Sequence, residues 1–241
     1  PAVDFISTMN TPRVAEWNMW YHVLNCGFRV TASGETDFPC ISGERVGMGR
    51  VYAKVDGRLT FKKWVQSIAD GRSYVSDGSC HLLNFSAQSE EGSTEVGTNK
   101  SELKLNEKEE VTFNVDAAAL MKGTDKIKLE LIINGYPVSE KMLTPDGKTS
   151  KISFKHSIKE SCWAAVRVFP NAHTNPIHVI VNNKPIRGSV DSARWCLAGV
   201  DQCWKSKQPT YADAEKDDAI KAYDHARDVY KKIISEASLK D

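Results

Sequence analysis

A chain of 241 residues with 41% apolar and 26% charged residues has the composition of a folded protein with ample core material, in one large domain or two small ones. Lys and Arg number 32 against 31 Asp and Glu, interleaved and without a basic block, which argues against nucleic acid or an anionic membrane surface as partner. No apolar run approaches the roughly 20 residues needed to span a bilayer, and the first ten residues lack the basic and apolar regions of a signal peptide.

The chain opens on Pro1 with residues that already read as a strand, which does not look like a natural start; an artificial start, a proteolytic product and the mature end of something longer are the expectations. Thr11 and Pro12 predict a helix start, as N-cap and N1. Trp17, Trp20, Tyr21 and Leu24 follow at i, i+3, i+4 and i+7, and Gly27 is placed as the left-handed closing residue. Phe28 to Val30 reads as a strand feeding a polar loop, Thr31 to Tyr52, and Val51 to Val55 as the next strand. Thr60 caps a second helix whose Phe61, Trp64, Val65 and Ile68 repeat the same stripe, before a strand at Ser73 to Val75. This α-β-loop-β-α-β order predicts a parallel α/β unit, too small to close a barrel or cover both faces of a sheet alone.

From Cys80 the rhythm changes. Short β-rich runs recur at 81–85, 111–115, 127–133, 152–154, 162–169 and 177–181, separated by turn residues such as Asn134-Gly135 and Asp146-Gly147. About six strands at this spacing predict an immunoglobulin-like β-sandwich, with Ser89 to Glu110 as a mobile connection. Thr210 as N-cap with Asp213 at N3 predicts a last helix, whose apolar stripe is Ala219, Tyr223, Ala226, Tyr230 and Ile233 and which docks on the chain's own body. The expected organisation is therefore α+β: a partial α/β segment over 1–78, a β-sandwich over 79–195, and a tail with an amphipathic helix over 196–241.

The polar loop is the densest collection of candidate functional groups: Glu35, Asp37 and Glu44 beside Arg45 and Arg50, around Cys40 and Gly43, Gly47 and Gly49. Loops following strands are where α/β scaffolds carry chemistry; an ordinary surface loop is the plain alternative. The glycines lack a phosphate-binding spacing, and no Gly-x-Ser-x-Gly elbow occurs. The six histidines are scattered and form no metal-binding pair. Trp163, Trp195 and Trp204 could form a sugar-binding face; packing is the alternative use of such rings. The six cysteines contain no CxxC pair, which argues against structural zinc. In a periplasmic or secreted setting they could close one or two disulfides, Cys196 with Cys203 being nearest in sequence; buried free thiols are the other reading.

The runs WYHVLNCGFRVTASGETDFPC, GMGRVYAKVDG and LTFKKWVQSIADGRSYVSDG, in that order, resemble the C-terminal part of the CehA/McbA-type metallohydrolases of the PHP superfamily. The stretch WAAVRVFPNAHTNPIHVIVNNKPI resembles the immunoglobulin-like β domain that follows the barrel in larger members. The resemblance implies a distorted α/β barrel, a divalent metal (Zn, Mn or Fe), and hydrolysis of a small-molecule phosphoester, ester or carbamate. The family's last barrel motif, Gly-x-Asp-x-His, corresponds to Gly34 to Pro39: Asp37 matches its metal-binding aspartate, one residue is inserted, and Pro39 replaces the histidine. Glu35 and Arg50 are placed by position against substrate. The earlier metal ligands have no counterpart, so the resemblance implies an inactive fragment whose partner is the upstream part of the barrel. A non-catalytic binding or assembly module, with carbohydrate bound by the β domain, is the competing expectation.

Overall fold

The computed structural model describes residues 3–10, 12–39 and 46–238. The first elements are β1 (Phe5–Ser7), α1 (Arg13–Asn25), β2 (Thr31–Ser33), β3 (Arg50–Ala53), α2 (Phe61–Ala69) and β4 (Ser73–Ser76). In α1 the expected stripe is the buried one: Trp17, Trp20 and Leu24 are in the core, and Tyr21 is half-buried. The two indole N–H groups are satisfied on entry, Trp17 donating to the Thr8 carbonyl at 2.7 Å and Trp20 to that of Val30 at 2.8 Å. Pro12 occupies the N-cap rather than N1, and Thr11 lies outside the described residues. Gly27 closes the helix at φ +88°, as expected.

The Thr60 hydroxyl caps α2 by accepting from the Lys63 N–H at 3.3 Å. Its stripe, however, does not face a core. Ile68 is buried, but Phe61 is 80% exposed, Val65 42% and Trp64 38%.

Strand pairing departs from the parallel unit expected for this region. β1 and β2 are parallel, from Phe5 opposite Thr31 to Ser7 opposite Ser33. β3 and β4 are antiparallel, and β4 in turn pairs antiparallel with β13 (Ala172–Thr174). Alternation of helix and strand sets the order of elements but not their direction. Every residue of β4 is buried, and it gains partners on both edges by inserting between β3 and β13 in the larger sheet.

The remaining strands are β5 (Cys80–Gln88), β6 (Ser93–Glu95), β7 (Glu102–Leu105), β8 (Glu109–Ala119), β9 (Ile127–Ile133), β10 (Tyr136–Leu143), β11 (Ser150–Ile158), β12 (Cys162–Val168) and β14 (Ile177–Val181). One sheet runs β11-β8-β5-β6. The other runs β10-β9-β12-β13-β4-β3, with β14 joining β12 to β7. Both contribute to one core, Phe113 and Phe154 from the first and Leu129, Leu131, Val166 and Val179 from the second. The segment 89–110, expected to be a mobile connection, instead holds β6 and β7, because Thr94, Val96, Leu103 and Leu105 are buried. β10 escaped the periodicity reading: it is an edge strand, and nearly all its residues face solvent.

Two helices complete the α+β fold, α3 (Val190–Lys207) and α4 (Asp213–Ser238). α3 runs through residue 195, where a domain boundary was expected. Thr210 lies in a short 3-10 turn before α4, and the start of α4 is capped by the Glu215 carboxylate, which accepts from the Ala212 N–H at 3.1 Å. The predicted stripe of α4 is its inward face, with Ile233 packed beside Cys26, Ala193 and Cys196.

Cys196 and Cys203 are seven residues apart on one helix, about 10 Å along its axis, too far to bridge. The close pair is Cys26 and Cys196, with sulfurs 3.9 Å apart. Disulfide formation requires them to approach by about 2 Å. Exchange with oxidised glutathione should therefore couple these two thiols, releasing two molecules of the reduced tripeptide. Intact mass should fall by two hydrogens, reversibly, and Cys196→Ala should show no such loss.

Candidate functional site

The carboxyl ends of the parallel pair β1 and β2 open onto the polar loop. Thr8, just past β1, donates its hydroxyl to the Ser33 carbonyl at 3.1 Å and holds the two strand ends together. Beyond β2 the chain runs backbone against backbone with the start of β3. A Cβ on Gly34 would collide with the Arg50 carbonyl, and one on Gly49 with the carbonyls of Glu35 and Met9. Both positions therefore need glycine for close approach rather than for a left-handed turn. Cys40, Gly43, Glu44 and Arg45 lie outside the described residues.

Three carboxylates gather here. Glu16, on the first turn of α1, accepts from the Asn10 N–H at 2.9 Å. The Asn10 side-chain amide reaches Asp37 Oδ2 at 3.4 Å. Burial pushes the Glu16 carboxyl above its usual range, opposed by the Asn10 amide and reinforced by the negative charge of Glu35. The expected residues Glu35 and Asp37 thus share one region, and Asp37 is exposed with its backbone at φ +53°. Glu16 was not anticipated; an acidic residue off the apolar stripe, in the turn nearest the loop, was the available signal.

Arg13 braces this wall from below. It donates to the carbonyls of Pro170 at 3.1 Å and Met48 at 3.4 Å, and pairs with Asp77 at 3.5 Å. Asp77 also accepts from Asn171 Nδ2 at 2.6 Å. Two buried polar atoms here have no partner among the described residues, Ser7 Oγ and Arg13 Nε. Arg50, expected to face substrate, binds the Gly47 carbonyl and the Tyr52 hydroxyl, the latter at 3.1 Å. It is a loop brace that remains exposed. Among the described residues, no three His, Cys, Asp or Glu side chains converge as a metal-holding group. These residues by themselves do not fit a divalent ion; Asp37 offers one carboxylate.

Beneath the site lies a polar chain that the sequence did not reveal. His173 is fully buried on β13, a strand too short to show in the sequence. Its Nδ1 lies 2.6 Å from the Thr174 carbonyl, which assigns the proton to Nδ1 and leaves Nε2 to accept from the Tyr21 hydroxyl at 2.6 Å. The Tyr21 oxygen accepts from Arg167 Nη1 at 3.2 Å, and Arg167 Nε donates to Glu130 at 2.7 Å. Burial lowers His173 to about 3 and raises Tyr21 to about 12, so both are neutral. Each link of the chain has a donor and an acceptor, and it fastens α1 to β9, β12 and β13.

The three tryptophans considered for sugar binding are in three places. Trp163 is buried and donates to Asn25 Oδ1 at 2.7 Å; Trp195 stacks on His22 at 4.5 Å; Trp204 packs on Tyr223 at 5.0 Å. They form no common platform. No helix among the described residues is long and apolar enough to cross a membrane.

No family model matches this chain, and no curated protein matches it significantly. A mutant β-glucosidase from Listeria innocua, solved in complex with laminaribiose, is similar at 15% identity over 63% of this chain and 21% of that one. The chain thus spans about a fifth of that protein's length, and the TM-score of 0.22 is too low to support any inference about fold.

Proposed function

We propose that the chain is the C-terminal portion of a PHP-like metal-dependent hydrolase acting on a phosphoester, ester or carbamate, with residues 33–50 as one wall of its active site. The observation that carries this reading is the parallel pair β1 and β2 with Glu35 and Asp37 beyond its carboxyl end. Parallel strands are normally covered on both faces and flanked by further strands. Phe5 of β1 is nevertheless exposed, and α2 turns Phe61 and Trp64 outward, an apolar surface suited to another layer. An upstream barrel segment supplies that layer and the remaining ligands of a zinc, manganese or iron ion. Asp37 contributes one carboxylate, Glu35 lies on the substrate side, and Arg50, exposed while it braces the loop, presents its remaining N–H donors there. The two β-sheets that share a core are then the immunoglobulin-like domain that follows the barrel.

The test is to express the chain joined to the residues encoded before Pro1 and to measure bound metal and hydrolysis of phosphoester, ester and carbamate substrates. Asp37→Ala should lower turnover by more than the roughly 10–100-fold that loss of a residue supporting a metal ligand costs. Equal activity in the variant would remove Asp37 from the site. A longer protein that stays metal-free after dialysis against all three metals would favour a non-catalytic assembly module, for which the exposed face of α2 already speaks.

A further inference from the structure

A second site lies at the opposite, amino-terminal end of β2. Residues 29–31, Gly71 behind α2, and the turn before β7 enclose a cleft of about 510 Å³ lined by His178 of β14. Ile177 and Val179, on either side of His178, point into the core shared by the two sheets. Strand alternation therefore turns His178 to the other face, toward the cleft. The side chain is buried, yet its Nδ1 has no hydrogen-bond partner among the described residues. A buried polar atom without a partner is destabilising and marks a place where another group can bond.

Two cationic side chains, Arg29 and Lys100, and one carboxylate, Asp70, line the cleft. Arg29 lines it, held by Glu102, the residue in register with His178 on β7. Glu102 engages one terminal nitrogen of a guanidinium that carries five N–H donors, so it orients Arg29 without exhausting it. Lys100 also lines the cleft and makes no ion pair among the described residues. It sits in an unusual turn: Asn99, Lys100 and Ser101 are successive left-handed residues at φ 49°, 57° and 52°. Such a conformation is costly without glycine and tends to be kept where the chain has a task. Ser101 holds it, accepting from the Gly97 N–H at 2.8 Å and donating its own N–H to the Thr98 carbonyl at 2.7 Å. Asp70, on the α2 side, is engaged by Gln66 at 2.8 Å.

We propose that this cleft binds an oxyanion, the phosphate or carboxylate group of a small molecule, between Arg29 and Lys100, with His178 Nδ1–H as the inner donor. The site does not depend on the hydrolase reading. Burial and the Arg29 charge, opposed by Glu102, hold His178 neutral; a bound anion offsets the Arg29 charge and favours the imidazolium, so His178 gains proton affinity on binding.

Histidine Cε1–H resonances report this directly, with the His178 signal identified by its loss in His178→Gln. Inorganic phosphate and acetate, titrated separately, should each be tried for a saturable shift of that signal and a rise in its apparent pKa, while the His173 signal stays still. The anion that saturates at lower concentration distinguishes a phosphate-bearing from a carboxylate-bearing ligand. Arg29→Gln should weaken binding about ten- to a hundredfold, the worth of a charge-assisted hydrogen bond. If that variant unfolds, Lys100→Gln, at an exposed position, carries the same comparison. The proposal fails if neither anion gives a saturable shift, if glycerol at equal concentration shifts the signal as much, or if the folded variants bind as tightly as the parent.

Discussion

Arg167→Met should destabilise the fold by about 3–5 kcal/mol in urea or thermal unfolding, the cost of leaving a buried carboxylate without its partner. Arg167 and Glu130 are each only 13% exposed at the side chain, and they bond at 2.7 Å. Removing the guanidinium also takes a donor from the Tyr21 oxygen, and so loosens the chain that runs through Tyr21 to His173. Desolvating two charges offsets most of what their attraction returns. Adding Glu130→Leu to Arg167→Met should accordingly recover much of the loss. A double variant no more stable than the single one would show that packing of the arginine stem, rather than the uncompensated charge, dominates this position.

The second large effect is acid lability. His173 and His178 both fall from the usual 6.5 to about 3, chiefly through burial. In the unfolded chain each takes up a proton below about pH 6.5, whereas in the folded protein neither does until about pH 3. The unfolded state therefore binds more protons between these values. Stability is intact above 6.5 and declines as pH falls toward 3. At about pH 5 each histidine costs about 2 kcal/mol, or about 4 kcal/mol for the pair. Unfolding free energy measured from pH 7 down to 5, above most carboxylate titrations, reads this effect, with a further same-sign contribution from His22 and an opposing one from the raised Glu16 carboxyl. His173→Gln should lower the slope of stability against pH by about 1.4 kcal/mol per pH unit at most, the share of one histidine, whatever it does to stability at pH 7. An unchanged slope in both His173→Gln and His178→Gln would show that the two rings protonate without unfolding the protein.

Legibility in the sequence depended on the range of the physical cause. The stripe of α1, the Thr60 cap, the Gly27 stop and the inward face of α4 all rest on residues within a few turns of each other, and all are where local pattern placed them. The six β-rich runs became strands for the same reason. Edge strand β10, with little to bury, offered no alternation to read. α2 shows the converse: its stripe has helical period, but a period only says which face is apolar, not whether anything covers it. Phe61 stays exposed because no element among the described residues covers that side of the helix.

The candidate site divides in the same way. Glu35 and Asp37 could be singled out because they lie together in one polar loop. Glu16 was harder to single out: its position off the apolar stripe hinted at it, but its tie to that loop passes through Asn10 and through the close approach that Gly34 and Gly49 permit. Arg50 carries the charge a substrate contact needs, yet its nearest acceptors are in its own loop and strand, so it acts as a brace.

By itself, the sequence determined α1, α2, α4, the six β-rich runs and the change from helix-and-strand alternation to a β-rich region, because these follow from caps, turns and hydrophobic period; it did not show α3, β6, β7, β10 or β13. Tertiary structure alone decided that β3 and β4 run antiparallel within the larger sheet, and that Cys26 rather than Cys203 meets Cys196. It also decided that Tyr21, His173 and Arg167 share their protons across 152 and 146 residues of chain. Such contacts are set by which surfaces must be buried together, and a local window of sequence carries no record of that choice.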